Sequence, residues 1–280
     1  HDGLTGLPNR VLLMERLQQA IEFGKRHAGY RFSVLFLDLD QFKVINDSLG
    51  HALGDQLLIT LAQRLRRCVR AGDTVARLGG DEFVILAEDT DDMQMAIALA
   101  NRIQDELKQP LELGDQPLFA SASIGIVTDL HTYDAADDVL RDADLAMYQA
   151  KAAGKARYAL FNVAMREQAL TRMELENDLR LALARGELEL YYQPILSLTQ
   201  DQVTGFEALL RWRHPRRGLI GPQLFIPVAE ETGLIIPIGH WVLEQACCQL
   251  RDWQRRFPRT PALTMNVNVA TRQLTDPTFV

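Results

Sequence analysis

The chain has 280 residues, 47% hydrophobic and 24% charged, an ordinary globular composition whose length suits one or two domains, each able to bury a sizeable core. A formal net charge of -7 argues against a general nucleic-acid binder, which must neutralise many phosphates, and leaves room for a locally bound nucleotide. The cysteine count of three is odd, Cys247 and Cys248 are adjacent, and no zinc spacing occurs, so the thiols read as reduced and the chain as cytoplasmic.

From Asn9 to about His27, Val11, Leu12, Met14, Leu17, Ala20 and Ile21 recur at helical spacing, predicting an amphipathic helix over one face of a sheet. Val34–Leu37 is a continuous apolar run, as in a central strand covered on both faces, and it ends abruptly in Asp38 and Asp40. A polar loop at Asn46–His51 then precedes a helix from Asp55 to Val69, with Asp55 as its cap. Arg70 and Asp73 follow as a helix-end cation and a turn acid. Two short apolar runs next flank Gly79-Gly80, the signal for a tight hairpin. Asp81 and Glu82 come immediately after that turn. Neighbouring strands that end in acids offer hard oxygen ligands, so Asp38, Asp81 and Glu82 are candidate ligands for Mg²⁺ held jointly with substrate phosphates.

Residues 91–109 read as a second covering helix, and residues 117–127 as a strand whose small side chains allow close packing under a nucleotide. A helix over Asp137–Ala153 stops at Gly154; Lys151 and Lys155 lie four apart on one face and complement the helix dipole. Tyr158–Phe161 closes the unit as a strand.

Arg77-x-Gly79-Gly80-Asp81-Glu82-Phe83, with Asp38-x-Asp40-x-Phe42-Lys43-x-x-Asn46-Asp47 and Asp2-x-Leu4-Thr5-Gly6-Leu7-Pro8-Asn9-Arg10, resembles the GGDEF family of diguanylate cyclases from residue 1 to about 163. The resemblance implies an α/β sandwich of the nucleotidyl-cyclase or polymerase-palm type, a mostly antiparallel sheet with helices on both faces. It makes Gly79, Gly80, Asp81 and Glu82 the catalytic hairpin, with Mg²⁺ or Mn²⁺ on Asp38, Asp81 and Glu82. It places Asn46 and Asp55 on the guanine edge, where an amide and a carboxylate match O6, N1–H and N2–H₂. Lys43, Lys151 and Lys155 become phosphate contacts, against the plainer reading of the last two as helix-end cations. Arg70 and Asp73 become an inhibitory product site, against the plainer helix-end reading.

A new unit begins near Met165, with an amphipathic helix over Met173–Ala184. After Gly186, strands over residues 188–195 and 203–212 flank a turn at Thr199-Gln200-Asp201. Glu207 inside an apolar strand is anomalous, because a buried carboxylate needs a partner, a proton or a metal. Glu207-Ala208-Leu209-x-Arg211-Trp212, with Tyr192-Gln193-Pro194 and Phe225–Gly233, resembles the EAL family of cyclic-di-GMP phosphodiesterases. That resemblance makes Glu207 and Asn268 metal ligands and Arg211 a phosphate contact. It implies a (β/α)₈ barrel, which needs about 250 residues, and the catalytic positions the family places beyond Asn268 fall past Val280. Ala270 stands where the family usually has Ser.

The expected organisation is a cyclase domain at 1–163, a connector helix at 164–186 and an incomplete phosphodiesterase domain at 187–280. The expected reaction condenses two GTP to cyclic-di-GMP and pyrophosphate across a C₂ homodimer, because each 3′-hydroxyl must reach the other nucleotide. Hydrolysis of cyclic-di-GMP is expected only of a longer parent. The alternatives are a GTP-binding, non-cyclising module that regulates the phosphodiesterase part, and a pure cyclic-di-GMP receptor acting through Arg70 and Asp73. No run approaches the roughly 18 to 20 apolar residues of a membrane span. The opening His-Asp-Gly carries no signal-peptide pattern and no initiator Met, so the chain reads as a cytoplasmic segment of a longer parent, any membrane tether lying outside it.

Overall fold

The computed structural model describes residues 1–27, 29–88, 93–113, 116–128, 132–199, 201–277 and 279. It divides into two compact units, His1–Glu167 and Gln168–Val280. No helix among the described residues is long and apolar enough to cross a membrane.

The first unit runs α1 (Arg10–Arg26), β1 (Phe32–Leu39), α2 (Phe42–Leu49), α3 (His51–Cys68), β2 (Thr74–Gly79), β3 (Glu82–Glu88), α4 (Met93–Leu107), β4 (Leu111–Leu113), β5 (Gln116–Leu118), β6 (Ala122–Val127), α5 (Ala136–Ala152) and β7 (Tyr158–Leu160). The main sheet has the order β2-β3-β1-β6-β7, antiparallel except for the parallel β6–β7 pair. This is the α/β sandwich expected from the sequence. Asn9 caps α1 by accepting from the Leu12 N–H at 3.1 Å, a contact worth about 1 kcal/mol.

Every residue of β1 is buried, and its side chains alternate between two cores. Leu35, Leu37 and Leu39 join Phe83 and Ile85 beneath α3 and α4, while Val34 and Phe36 join Val84 and Leu86 beneath α1 and α5. Gly125 shows why β6 is small. A Cβ there would stand 1.9 Å from Ala143 O and 2.3 Å from Met147 N, so the missing side chain admits α5, where the sequence suggested close packing under a nucleotide.

Three local expectations are corrected. Asn46–Leu49 is helical, and the predicted loop reduces to Gly50, whose φ of 87° interrupts the path. The following helix begins at His51, so Asp55 lies inside it and is not its cap. The strand expected over 117–127 is two strands, because Gln116–Leu118 pairs with β4 whereas Ala122–Val127 pairs with β1. Residues 91 and 92 of the predicted second covering helix lie outside the described residues.

The helix α6 (Val163–Ala182) starts ten residues before the predicted Met173 and leads into the second unit. There follow β8 (Leu188–Ser197), β9 (Gln202–His214), β10 (Gly218–Ile220), α7 (Pro222–Thr232), α8 (Ile235–Arg256), β11 (Thr264–Val267) and α9 (Thr271–Leu274). Gln200 of the predicted turn lies outside the described residues. Strand β9 pairs antiparallel with β8 and β10 and parallel with β11, so the path from β9 through α7 and α8 to β11 is a β-α-β crossover. Fully buried Trp212 and Phe225 anchor the core of this unit.

Candidate active site

The hairpin tip is shaped by Gly79 and Gly80, whose φ values of 152° and 50° suit residues without a Cβ. A register shift between Arg77 and Gly79 places a bulge in β2 just before the tip, where Gly79 pairs with Glu82. Arg77 braces the tip. Its guanidinium donates to Gly80 O at 2.7 Å and to both carboxylate oxygens of Asp2 at 3.1 Å, and its backbone N–H donates to Pro8 O. Burial alone would raise the Asp2 pKa, yet hydrogen bonds from Thr5 and the Arg77 charge bring it below the usual carboxylate value. The opening motif and the hairpin motif are thus one structure.

Asp38 and Glu82 are direct partners in the antiparallel β1–β3 register. Asp38 is held above the ordinary carboxylate range first by burial and then by the nearby Asp81 and Asp40 charges, with Lys151 pulling it down. Glu82 is raised first by burial and then by Asp144, Asp38 and Asp81. Lys151 Nζ stands 2.7 Å from Asp38 Oδ1, a partial neutralisation of this acidic group. Among the described residues no three His, Cys, Asp or Glu side chains form a group that could hold a metal by themselves. The donor chemistry still fits Mg²⁺, which takes one or two carboxylates and completes its shell with phosphates and water.

Asn46 Oδ1 is buried with no hydrogen-bond partner. It fills a notch over Gly54, where a Cβ would lie 1.9 Å from it. Asp55, Lys43 and Lys155 are exposed on α3, α2 and the turn after α5. Arg70 and Asp73 are joined by the Arg70 N–H to Asp73 Oδ2 bond at 2.8 Å, and Asp73 Oδ1 accepts from the Glu88 N–H. They line a cavity of about 120 Å³ with Met95, Leu99 and Arg102.

Two residues of these sites escaped the sequence. Asp144 sits seven positions before Lys151, two helical turns along one face of α5, and that spacing was its available signal. Arg102 joins the Arg70 cavity from α4 and belongs to no local motif.

In the second unit Glu207 is half-buried, against the buried carboxylate expected, because its cross-strand partner Gln193 is exposed on an open face. Asn268 Nδ2 donates to Glu207 Oε1 at 2.7 Å, so these two are brought together. Arg211 donates to Leu210 O, and its guanidinium lies 5.8 Å over the Tyr191 ring.

Residues 1–157 match the family described as Diguanylate cyclase, GGDEF domain, and residues 176–280 match the EAL domain. The chain is 48% identical over 253 residues to the bifunctional diguanylate cyclase/cyclic di-GMP phosphodiesterase MucR of Pseudomonas aeruginosa, covering 90% of this chain and 37% of that protein. It is 43% identical over 252 residues to the cyclic di-GMP phosphodiesterase NbdA of the same organism, covering 90% of this chain and 32% of that protein. The chain therefore spans about a third of the length of these relatives. The solved GGDEF domain of TpbB (YfiN) from Pseudomonas aeruginosa superposes with a TM-score of 0.57 at 39% identity, covering 60% of this chain and 97% of that one.

Proposed function

The chain belongs to the GGDEF diguanylate cyclase family and continues into part of an EAL domain, and from that membership we propose that its first unit, through about residue 163, condenses two GTP into cyclic-di-GMP and pyrophosphate. The observation that carries the reading is the Asp38–Glu82 pair across β1 and β3, beside the braced Gly79-Gly80 tip. Two carboxylates raised first by burial and then by neighbouring acids favour a cation between them. Asp38 and Glu82 would hold Mg²⁺ or Mn²⁺, with the charge of Asp81 alongside. When bound, the ion supplies Lewis acidity to the 3′-hydroxyl and the α-phosphate.

The chain's own residues do the remaining work. Asn46 and Asp55 orient guanine, and the unpaired Asn46 Oδ1 supports this because guanine brings N1–H and N2–H donors. Lys43, Lys151 and Lys155 hold phosphates, and Lys151 already stands beside Asp38. One unit offers one half-site, so two copies face each other as a C₂ dimer for turnover. Arg70, Asp73 and Arg102 bind the product and damp the reaction.

The experiment is incubation with GTP and Mg²⁺, resolving the nucleotides formed at several protein concentrations. Cyclic-di-GMP, formed at a rate per molecule that rises on leaving the dilute range, supports the reading. GTP binding without turnover selects the second reading, a regulatory GGDEF module. That reading is favoured by the resemblance to NbdA, which is described as a phosphodiesterase.

A further inference from the structure

Asp38 lies at the end of β1 and Asp40 just past it, yet their carboxylates have different surroundings. Asp38 faces Glu82 and the Lys151 ammonium. Asp40, 9% exposed, is saturated by short bonds from protein donors. Its Oδ1 accepts from Ser123 Oγ at 2.7 Å, and its Oδ2 accepts from Ser121 Oγ at 2.8 Å and from the Ala156 backbone N–H at 3.0 Å.

Ala156 lies in the turn that returns the chain from α5 to β7. Lys155 and Ala156 have φ values of 61° and 49°, two consecutive non-glycine residues in the left-handed region. A Cβ disfavours that region, so such a turn persists only where its surroundings hold it. Two bonds do so here: the Lys155 N–H to Ala150 O at 3.1 Å, at the end of α5, and the Ala156 N–H to Asp40. Asp38 meanwhile grips the last turn of α5 through Lys151. The end of β1 therefore fastens at two points the segment that presents Lys151 and Lys155.

We propose that Asp40 is a positioning residue, a buried staple that holds the Lys155–Ala156 turn in its left-handed form and so fixes the two lysines for the phosphates of the nucleotide. This rests on the reading of the first unit as a GTP site. Both Asp40 oxygens are taken up by protein donors, so its effect travels through the Ala156 N–H. Its removal should therefore weaken recognition of the phosphates and spare recognition of the base.

The test measures binding of GTP and of guanosine, each with Mg²⁺, to the whole 280-residue chain. In Asp40→Ala the preference for GTP over guanosine should fall about tenfold while guanosine affinity holds, the scale expected of a small misplacement of binding groups. Asp40→Asn should restore most of the preference, since its amide oxygen still accepts from the Ala156 N–H while the amide N–H₂ donates to a serine Oγ. Ala156→Gly on the Asp40→Ala background should restore part of it, because glycine adopts the turn unaided. Asp40→Ser, too short to reach Ala156 yet polar toward both serines, gives the same reading if the alanine variant fails to fold. Equal loss of GTP and guanosine binding, or an unchanged preference in both the alanine and serine variants, overturns the assignment. A wild-type chain that binds GTP no more tightly than guanosine overturns the underlying GTP-site reading instead.

Discussion

Asp38 stands directly opposite Glu82 where β1 and β3 pair, and the ammonium of Lys151 lies 2.7 Å from the Asp38 carboxylate. Two strands distant in sequence thus bring acids to one point, and the end of α5 supplies a single cation against them. An incompletely neutralised acidic pair is a poor arrangement for stability alone, and a divalent ion with phosphates would relieve it.

If Glu82 holds the ion, Glu82→Gln should lower cyclic-di-GMP formation by at least about 100-fold, as loss of an electrostatic stabiliser at a reacting centre does. Unfolding should stay cooperative, since Glu82 is only partly buried at the edge of the tip. Nucleotide analysis and thermal melting of both proteins check this, and undiminished turnover would remove Glu82 from the site.

The same pair sets a pH dependence. Asp38 and Glu82 are raised above their ordinary values of 3.8 and 4.5, burial being the first cause in each. The folded, metal-free chain therefore holds these protons more tightly than the unfolded one, and this pair's contribution to stability declines as pH rises from the ordinary values through the raised ones. Glu82→Gln should flatten that part of the curve, and Mg²⁺ binding should weaken on acidification through the same range. Melting temperature against pH, with and without Mg²⁺, is the measurement.

Arg70→Ala should raise the concentration of cyclic-di-GMP needed for inhibition by about ten- to a hundredfold, the scale of a lost charge-assisted hydrogen bond. The initial rate should not change, because the Arg70 cavity is lined by β3 and α4 residues and includes neither Asp38 nor Glu82. Progress curves with added product check it. Arg102→Ala should act in the same direction, and equal inhibition in wild type and both variants would leave Arg70 and Asp73 as a helix-end turn.

Gly125→Ala should destabilise the first unit by about 1–3 kcal/mol, the usual cost of overpacking a well-filled core. The added Cβ would collide with the backbone of α5 at Ala143 and Met147, and backbone cannot rotate away as a flexible side chain can. Denaturant unfolding measures this. An unchanged midpoint would mean that α5 is free to slide on β6.

The features legible in the sequence were those carried by short-range pattern. The apolar run of β1, the Gly79-Gly80 turn and the spacing of α1 each follow from a few adjacent residues, and each is found near its expected place. The errors arose where a distant partner decides. Residues 117–127 read as one strand because nothing local shows that their first part pairs with β4 and their last part with β1. The small residues of 117–127 read as close packing under a nucleotide because the α5 backbone that Gly125 admits is remote in sequence. Arg102, on a helix with no motif, could be placed beside Arg70 only by the fold.

The last prediction concerns Glu207. Its carboxylate is half-buried and accepts from Asn268 Nδ2 at 2.7 Å, and among the described residues it belongs to no group of three acids, histidines or cysteines that could hold a metal. A stable Mg²⁺ or Ca²⁺ site built from protein needs about six ligands, several of them carboxylates. The strands described in this unit form an open four-stranded sheet, with no closed wall to exclude water or to orient a hydroxide on the phosphodiester. The 280-residue polypeptide should therefore leave added cyclic-di-GMP intact, and a version extended to a closed barrel should linearise it in a manner abolished by Glu207→Ala. Product lifetime in the presence of each protein, with and without that substitution, is the measurement. Linear product that depends on Glu207 in the 280-residue polypeptide itself would show that the open sheet already holds a working site.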